Sequence, residues 1–232
     1  MTGRRPAPAA QSSGSVRGAQ RAASADWSGY VAYGSSFTSV KGSWIQPRAS
    51  CSSVPEGSDA VAGFWVGLDG FTSPTVEQIG TEADCEGHKP VYFAWSELYP
   101  HRLVALPTEA DPVRPGDLMH AQVTRAALRL EDATEGWKAV VPIRSSGFQY
   151  SSAEWIVEAP SMRMTGFGRV AFTSASAGDS EGAEQPIDSG LWSVRRLSVL
   201  SGSPRQATAQ AVASGLFDHE GRSSFEVVAP QR

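Results

Sequence analysis

From Asp26 onward the sequence is cut into short runs rich in Val, Trp, Tyr and Phe, separated by clusters of Gly, Pro and Ser. The runs fall at 27–33, 42–45, 60–69, 76–81, 91–99 and 118–127, then at 137–143, 153–157, 169–172, 191–200, 206–211 and 225–228. β-branched and aromatic side chains suit a pleated, half-buried surface, and the small and cyclic residues between them favour turns. Within 118–127 the alternation is clean: Met119, Ala121 and Val123 share one face, His120, Gln122 and Thr124 the other. Punctuation this frequent leaves no room for a helical core. It predicts an all-β fold, a sandwich of two curved antiparallel sheets of the jelly-roll kind. Only 206–216, rich in Ala and Gln, leaves a helix open.

The 232 residues are 41% hydrophobic and 19% charged, a globular balance that excludes global disorder. No repeat or boundary divides 26–232, which reads as a single domain. No run of 18 apolar residues could form a membrane-spanning helix, and a net charge of −4 offers a nucleic-acid backbone nothing to bind. Residues 1–25 differ from the rest. They carry Arg4, Arg5, Arg17 and Arg21 and no acid, and their only large apolar residues are Met1 and Val16. Such a segment cannot bury enough surface to offset its ordering entropy, and it lacks the apolar stretch of a secretory signal. It reads as a disordered basic tail of charge +4, against −8 for the remainder.

The chemistry-bearing residues fall on strand faces. Alternation puts Trp65, Gly67 and Asp69 on one face and Phe64, Val66 and Leu68 on the other. It groups Gln78 with Gly80 and Glu82, Trp95 with Glu97 and Tyr99, and Glu154 with Ile156 and Glu158. A solvated outer face would explain carboxylates alone, but such faces also carry Lys and Arg, and these four segments have neither. Carboxylates with tryptophans suit a cleft for a polymeric substrate. Other motifs point nowhere. Gly178-Asp179-Ser180-Glu181-Gly182 fits the Gly-x-Ser-x-Gly pattern, but that elbow needs a helix after it, and a polar run ending in Pro186 follows. His88, His101, His120 and His219 are scattered without metal-ligand spacing, so no metal or other cofactor is expected.

Five blocks occur in order: Asp26-Trp27-Ser28-Gly29-Tyr30, Trp65-Val66-Gly67-Leu68-Asp69-Gly70, Glu77-Gln78-Ile79-Gly80-Thr81, Trp95-Ser96-Glu97-Leu98-Tyr99-Pro100 and Ala153-Glu154-Trp155-Ile156-Val157-Glu158. Together, over roughly residues 26–230, they resemble the glutamic peptidase (eqolisin) family of acid endopeptidases. The resemblance implies a concanavalin-like sandwich and a catalytic Gln/Glu dyad, which maps onto Gln78 and Glu154. It implies cleft aromatics at Trp27 and Trp65, with Trp95 and Tyr99 beside them, and supporting acids at Asp69 and Glu97. It further implies polypeptide substrates, activity in acid, poor sensitivity to pepstatin, secretion and a monomer. Family members are made with a basic pro-segment, so 1–25 also reads as its remnant. Three positions depart from the pattern. Glu77 stands where an apolar residue is usual, Leu98 where an aromatic is usual, and His101 where Asp is common. These bear on substrate preference and pH more than on the reaction, and suggest a bacterial branch.

The chain has two cysteines, Cys51 and Cys85, too few for a finger-type zinc site. Two free thiols in a cytosolic protein stay possible. With the implied fold, the expectation is a Cys51–Cys85 disulfide tying the loop after Trp44 to the segment after Gln78, which would place the protein outside the reducing cytosol. Two other functions compete on a similar sandwich. A glycoside hydrolase would use a carboxyl pair such as Glu97 and Glu154. A carbohydrate-binding module would stack sugars on Trp27, Trp65 and Trp95. Neither requires Gln78. In the peptidase reading a water attacks the amide carbonyl, Glu154 serves as general base and then acid, and Gln78 supplies an oxyanion donor.

Overall fold

The computed structural model describes residues 20–24, 26–160, 163–180, 183–201, 208–219 and 222–229. The first strands are β1 (Gln20–Ser24), β2 (Trp27–Tyr33), β3 (Phe37–Ile45), β4 (Asp59–Ala60), β5 (Gly63–Leu68) and β6 (Val76–Glu86). Next come β7 (Lys89–Tyr99), β8 (Val104–Ala105), β9 (Leu118–Thr124), β10 (Ala127–Asp132), β11 (Trp137–Pro142) and β12 (Ser152–Glu158). The last are β13 (Gly168–Asp179), β14 (Gln185–Pro186), β15 (Ser193–Ser201), β16 (Thr208–Ala213), β17 (Phe217–His219) and β18 (Arg222–Ala229). No helix occurs among the described residues, as the punctuated pattern predicts.

The strands make two curved layers. One runs β7–β6–β5–β12–β2–β15 and the other β18–β13–β3–β9–β10–β11, all antiparallel. The layers are one continuous sheet curled on itself, because β15 leaves β2 after Leu197 and pairs with β16, which pairs with β18. Segment 208–213 is thus a strand rather than a helix. Its Ala211 and Ala213 are buried, and pairing on both sides decides a composition that is neutral to the choice.

Several boundaries differ from the sequence pattern, and three of them are informative. The run 118–127 breaks into a β9–β10 hairpin, closed where the Thr124 hydroxyl accepts from the Ala127 N–H at 3.1 Å. The run 169–172 extends to Asp179 because β13 pairs first with β18 and then with β3, across an irregularity that holds Ser174 at φ 52°. Residues 20–24, expected within the basic tail, are a correction. As β1 they pair in parallel with β15, Gln20 opposite Arg195 and Ser24 opposite Val199. Sheet-edge pairing uses backbone groups alone, which composition does not report. Residues 1–19 lie outside the described residues.

The core lies between the layers. Phe64, Val66, Leu68, Trp155 and Val157 come from one side, and Trp44, Met119, Val123, Phe172 and Phe225 from the other. The Trp155 indole donates to the Lys41 carbonyl at 2.7 Å, joining β12 to β3 across it. Gly29, at φ +148°, lets β2 approach β12 so closely that a Cβ there would stand 2.0 Å from the Trp155 carbonyl oxygen.

Cys51 and Cys85 form the expected disulfide, with Cα atoms 5.5 Å apart. It joins the loop after β3 to β6, 34 residues along the chain. Closing such a loop restricts the unfolded chain by about 4 kcal/mol in the chain-entropy model. The double variant Cys51→Ala/Cys85→Ala is expected to lose about 2–4 kcal/mol in chemical denaturation. Intact mass analysis of the wild type should find no thiol that alkylates without reduction. An unchanged unfolding midpoint would show that the bridge adds no stability.

Candidate active site

The outward face of the first layer is built in cross-strand rows, because residues opposite one another on neighbouring strands share a face. Arg195, Val31, Glu154, Gly67, Gln78 and Glu97 form one row. Leu197, Gly29, Ile156, Trp65, Gly80 and Trp95 form the next. Trp27, Glu158, Gly63, Glu82 and Phe93 form the third. The face groupings expected for β5, β6, β7 and β12 are therefore present along those strands. Gly67 lies directly between Glu154 and Gln78, so no side chain separates them across about 10 Å of sheet. A Cβ at Gly67 would come within 2.9 Å of the Trp65 ring and 3.2 Å of the Gln78 Cβ.

A cleft of about 860 Å³ opens over these rows. Trp27, Trp65, Gln78, Trp95, Glu97 and Tyr99, all expected site residues, line it, as do Glu82, Glu158, Phe71 and Arg195. The Gln78 amide donates from Nε2 to Glu97 Oε2 at 2.5 Å. Glu97 thereby fixes which end of the amide is donor. The other end, Gln78 Oε1, is buried without a hydrogen-bond partner among the described residues. Trp65 packs edge-on against Trp27, with centroids 5.1 Å apart, and its indole donates to Glu158 Oε2 at 2.9 Å.

Two expected site residues sit elsewhere. Glu154 lies in the row but is fully buried and does not line the cleft, and neither of its oxygens has a partner among the described residues. Asp69 follows β5 in the left-handed region, φ 68°, where strand alternation no longer applies. Instead of facing the cleft it is fully buried, and it accepts from the backbone N–H groups of Gln149, Tyr150 and Ser151 at 2.7–2.8 Å. Asp69 thus anchors the segment that leads into β12 and Glu154.

Sequence reasoning missed Phe71 and Arg195. Alternation from Leu197 along β15 would have placed Arg195 on the cleft face. Phe71 lies in a loop, where no period exists to read.

A family model for the peptidase A4 family matches residues 25–212. The chain belongs to this family of glutamic peptidases. Aspergillopepsin-2 of Aspergillus niger is 26% identical over 203 residues, 75% of this chain and 71% of that protein. Scytalido-glutamic peptidase, solved with a transition-state analog inhibitor, superposes with a TM-score of 0.70 at 22% identity, covering 88% of this chain and 98% of that one. Aspergilloglutamic peptidase from Aspergillus niger gives 0.57 at 22% identity, covering 73% of this chain and 99% of that one. The two structural likenesses establish the shared fold.

In this glutamic peptidase, carboxyls in and behind the site are held protonated by burial. Glu154 lies well above the ordinary carboxylate range because it is desolvated, and the charges of Asp69 and Glu77 add to the effect. The Ser152 hydroxyl and the Phe71 N–H, near Glu154 but outside hydrogen-bond geometry, work the other way. Glu77 faces the core behind Gln78 and is pushed up to about 9, by desolvation first and Asp69 second. Desolvation also raises Glu158 to about 7 and Asp84 to about 6. Glu82 is raised well above its ordinary value by desolvation and then by Asp84 beside it.

A carboxyl whose folded pKa exceeds its unfolded value binds more protons in the folded state between the two values. Stability is therefore full below about pH 4.5 and falls as pH climbs toward the folded pKa, by up to about 1.4 kcal/mol per pH unit per group. For Glu77 that window runs from about 4.5 to about 9. The protein is expected to melt highest near pH 3.5 and progressively lower at pH 5.5 and 7.5. Glu77→Gln should flatten that slope. A melting temperature that rises from pH 3.5 to 7.5 would contradict this account.

Proposed function

We propose that the cleft hydrolyses peptide bonds of polypeptide substrates in acid through Gln78 and Glu154, with an activated water and no covalent intermediate. The observation that carries the reading is the row Glu154–Gly67–Gln78, in which a carboxyl and an amide flank a position without a side chain. Burial modifies the role expected of Glu154. At pH 3–4 it rests as the neutral acid rather than as a ready base. A neutral carboxyl carries a proton on one oxygen and a lone pair on the other, so it can act at both ends. One oxygen takes a proton from the attacking water while the other gives its proton to the scissile carbonyl oxygen. The tetrahedral diol then collapses. One hydroxyl returns a proton to the carboxyl, the carboxyl protonates the leaving nitrogen, the C–N bond breaks, and Glu154 ends as it began.

Gln78 stabilises charge building on the carbonyl oxygen. Its Nε2 carries two protons, one committed to Glu97 and one free for the substrate. Because Glu154 is sealed from the cleft, substrate must displace a neighbour to reach it. The segment Gly70–Thr75, whose Phe71 N–H acts on Glu154, is the element placed to move. The disulfide supports a location outside the reducing cytosol.

Two rivals fit less well. Glu97 and Glu154 are three strand spacings apart, about 14 Å between Cα atoms, with Gln78 between them and bonded to Glu97. A glycosidase carboxyl pair needs about 5–10 Å between carboxyl groups. Trp65 is fully buried, tied to Glu158 and covered edge-on by Trp27, so the tryptophans form no flat sugar platform.

Acid-denatured casein at pH 3.5 tests the dyad. Gln78→Ala should lower kcat by about 10²–10³, the effect of one lost oxyanion donor. Glu154→Gln should lower it by about 10²–10⁴, the range of general acid–base catalysis. Both variants should keep the wild-type circular dichroism. Near wild-type kcat in either would remove that residue from the mechanism. In Gly67→Val, a side chain driven between the two should also suppress turnover.

A further inference from the structure

Among the described residues, every charged group lining the cleft is an acid except one. Arg195 projects from β15 into the cavity that Asp26, Glu82, Glu97 and Glu158 also line. Despite those neighbours it forms no ion pair with any described residue. Its Nε is sealed from solvent and has no acceptor among the described residues. The guanidinium is held by two rings instead, 5.6 Å from the Tyr33 centroid and 5.4 Å from the Phe71 centroid, and the rings lie 5.2 Å from each other. Aromatic faces attract a cation at this range but accept none of its planar fork of N–H donors. A donor buried without an acceptor is costly, so an acceptor brought in by a ligand is favoured at this point.

The position matters as much as the charge. Arg195 stands in the row of the proposed dyad, two strands from Glu154 on the side away from Gln78, about 10 Å between Cα atoms. Phe71, on which it stacks, belongs to the segment beside Glu154. A group bound to Arg195 therefore belongs to a residue near the scissile bond.

We propose that Arg195 is a specificity-determining residue that binds a carboxylate of the peptide substrate close to the scissile bond. This rests on the peptidase reading above. Two sources supply that chemistry: an Asp or Glu side chain, or the terminal carboxylate of a short peptide. Guanidinium and carboxylate match as a two-bond fork, and among the described residues Arg195 is the cation that the cleft lining offers. A guanidinium keeps its charge across this range, and a substrate carboxyl titrates near pH 4. The preference is therefore strong at pH 5 and fades at pH 3. The groups facing Arg195 are Asp26, Glu82, Glu97 and Glu158 across the cavity, Glu154 in its row and Tyr33 beneath its guanidinium.

The test compares kcat/KM for matched quenched-fluorescence peptides carrying Glu or Gln at each position flanking one scissile bond, with free or amidated C-termini, at pH 5 and pH 3. The wild type should prefer one acidic member by about 10–100-fold at pH 5, the range of a charge-assisted bond, and by little at pH 3. The ratio should collapse in Arg195→Gln, survive in part in Arg195→Lys and invert toward a Lys-bearing peptide in Arg195→Glu. A side-chain preference in amidated peptides assigns the first source, and one that needs a free C-terminus assigns the second.

Equal rates for every pair, or a preference that persists in Arg195→Gln, overturns the proposal. If no peptide is cleaved, the peptidase reading fails by itself. The quenching of cleft tryptophan fluorescence by the same peptides at pH 5 then decides the carboxylate site. Tighter binding of the acidic member, lost in Arg195→Gln, upholds it, and equal binding ends it.

Discussion

The register across β12, β5 and β6 is the constraint on which the site depends. A slip of one residue would turn every side chain of a strand to the opposite face. The core prevents it: Phe64, Val66, Leu68, Trp155 and Val157 are all fully buried between the layers, and their alternates are therefore committed to the opposite face of the sheet. Glu154, Gly67 and Gln78 meet because their neighbours along the chain are large and apolar. Gly80 repeats the device one row on. A Cβ there would stand 2.2 Å from the Phe64 carbonyl oxygen, so β5 and β6 approach as they do only with glycine between Trp65 and Trp95. Core packing and site geometry are two faces of one pleat.

That arrangement forces acids into places where water cannot reach them. An isolated carboxylate is costly to bury, so the group keeps its proton instead. Glu154, Glu77 and Glu82 are buried, and all are raised above the ordinary range, desolvation being the first cause in each. Asp69 is also fully buried. Three backbone N–H groups and the Ser151 hydroxyl surround its oxygens, so its environment is polar although it excludes solvent. Those donors tie Asp69 to the segment that leads into β12 and Glu154.

Much of this is legible in the sequence, and the limits follow from what periodicity encodes. Alternation along β5, β6, β7 and β12 is local, so the face of Gln78, Glu97 and Glu154 can be read from the residues beside them. Which strands stand next to each other is not local, so the role of Gly67 emerges only with the pairing. Asp69 is one residue beyond its strand, at a positive φ, and the period that placed it in the cleft had already ended. Arg195 is visible by alternation but belongs to the cleft only because β15 pairs with β2. Residues 20–24 show a different limit, because their pairing with β15 is made by backbone groups common to every residue type.

Glu77 shows how site and stability are coupled. It occupies a fully buried core position behind Gln78, where an apolar side chain would carry no electrostatic cost at any pH. As the neutral acid it costs little, and its charge is absent from the surroundings of Glu154. As pH rises toward about 9 it ionises, adding a negative charge whose effect on Glu154 is to raise that carboxyl further. The consequence is reciprocal, since each proton retained on one acid lowers the barrier to ionising the other. A core carboxyl of this kind therefore ties the protonation of the proposed general acid to the cohesion of the layer beneath it. Conditions that keep Glu154 loaded with its proton are the same conditions that keep the sheet behind it free of charge.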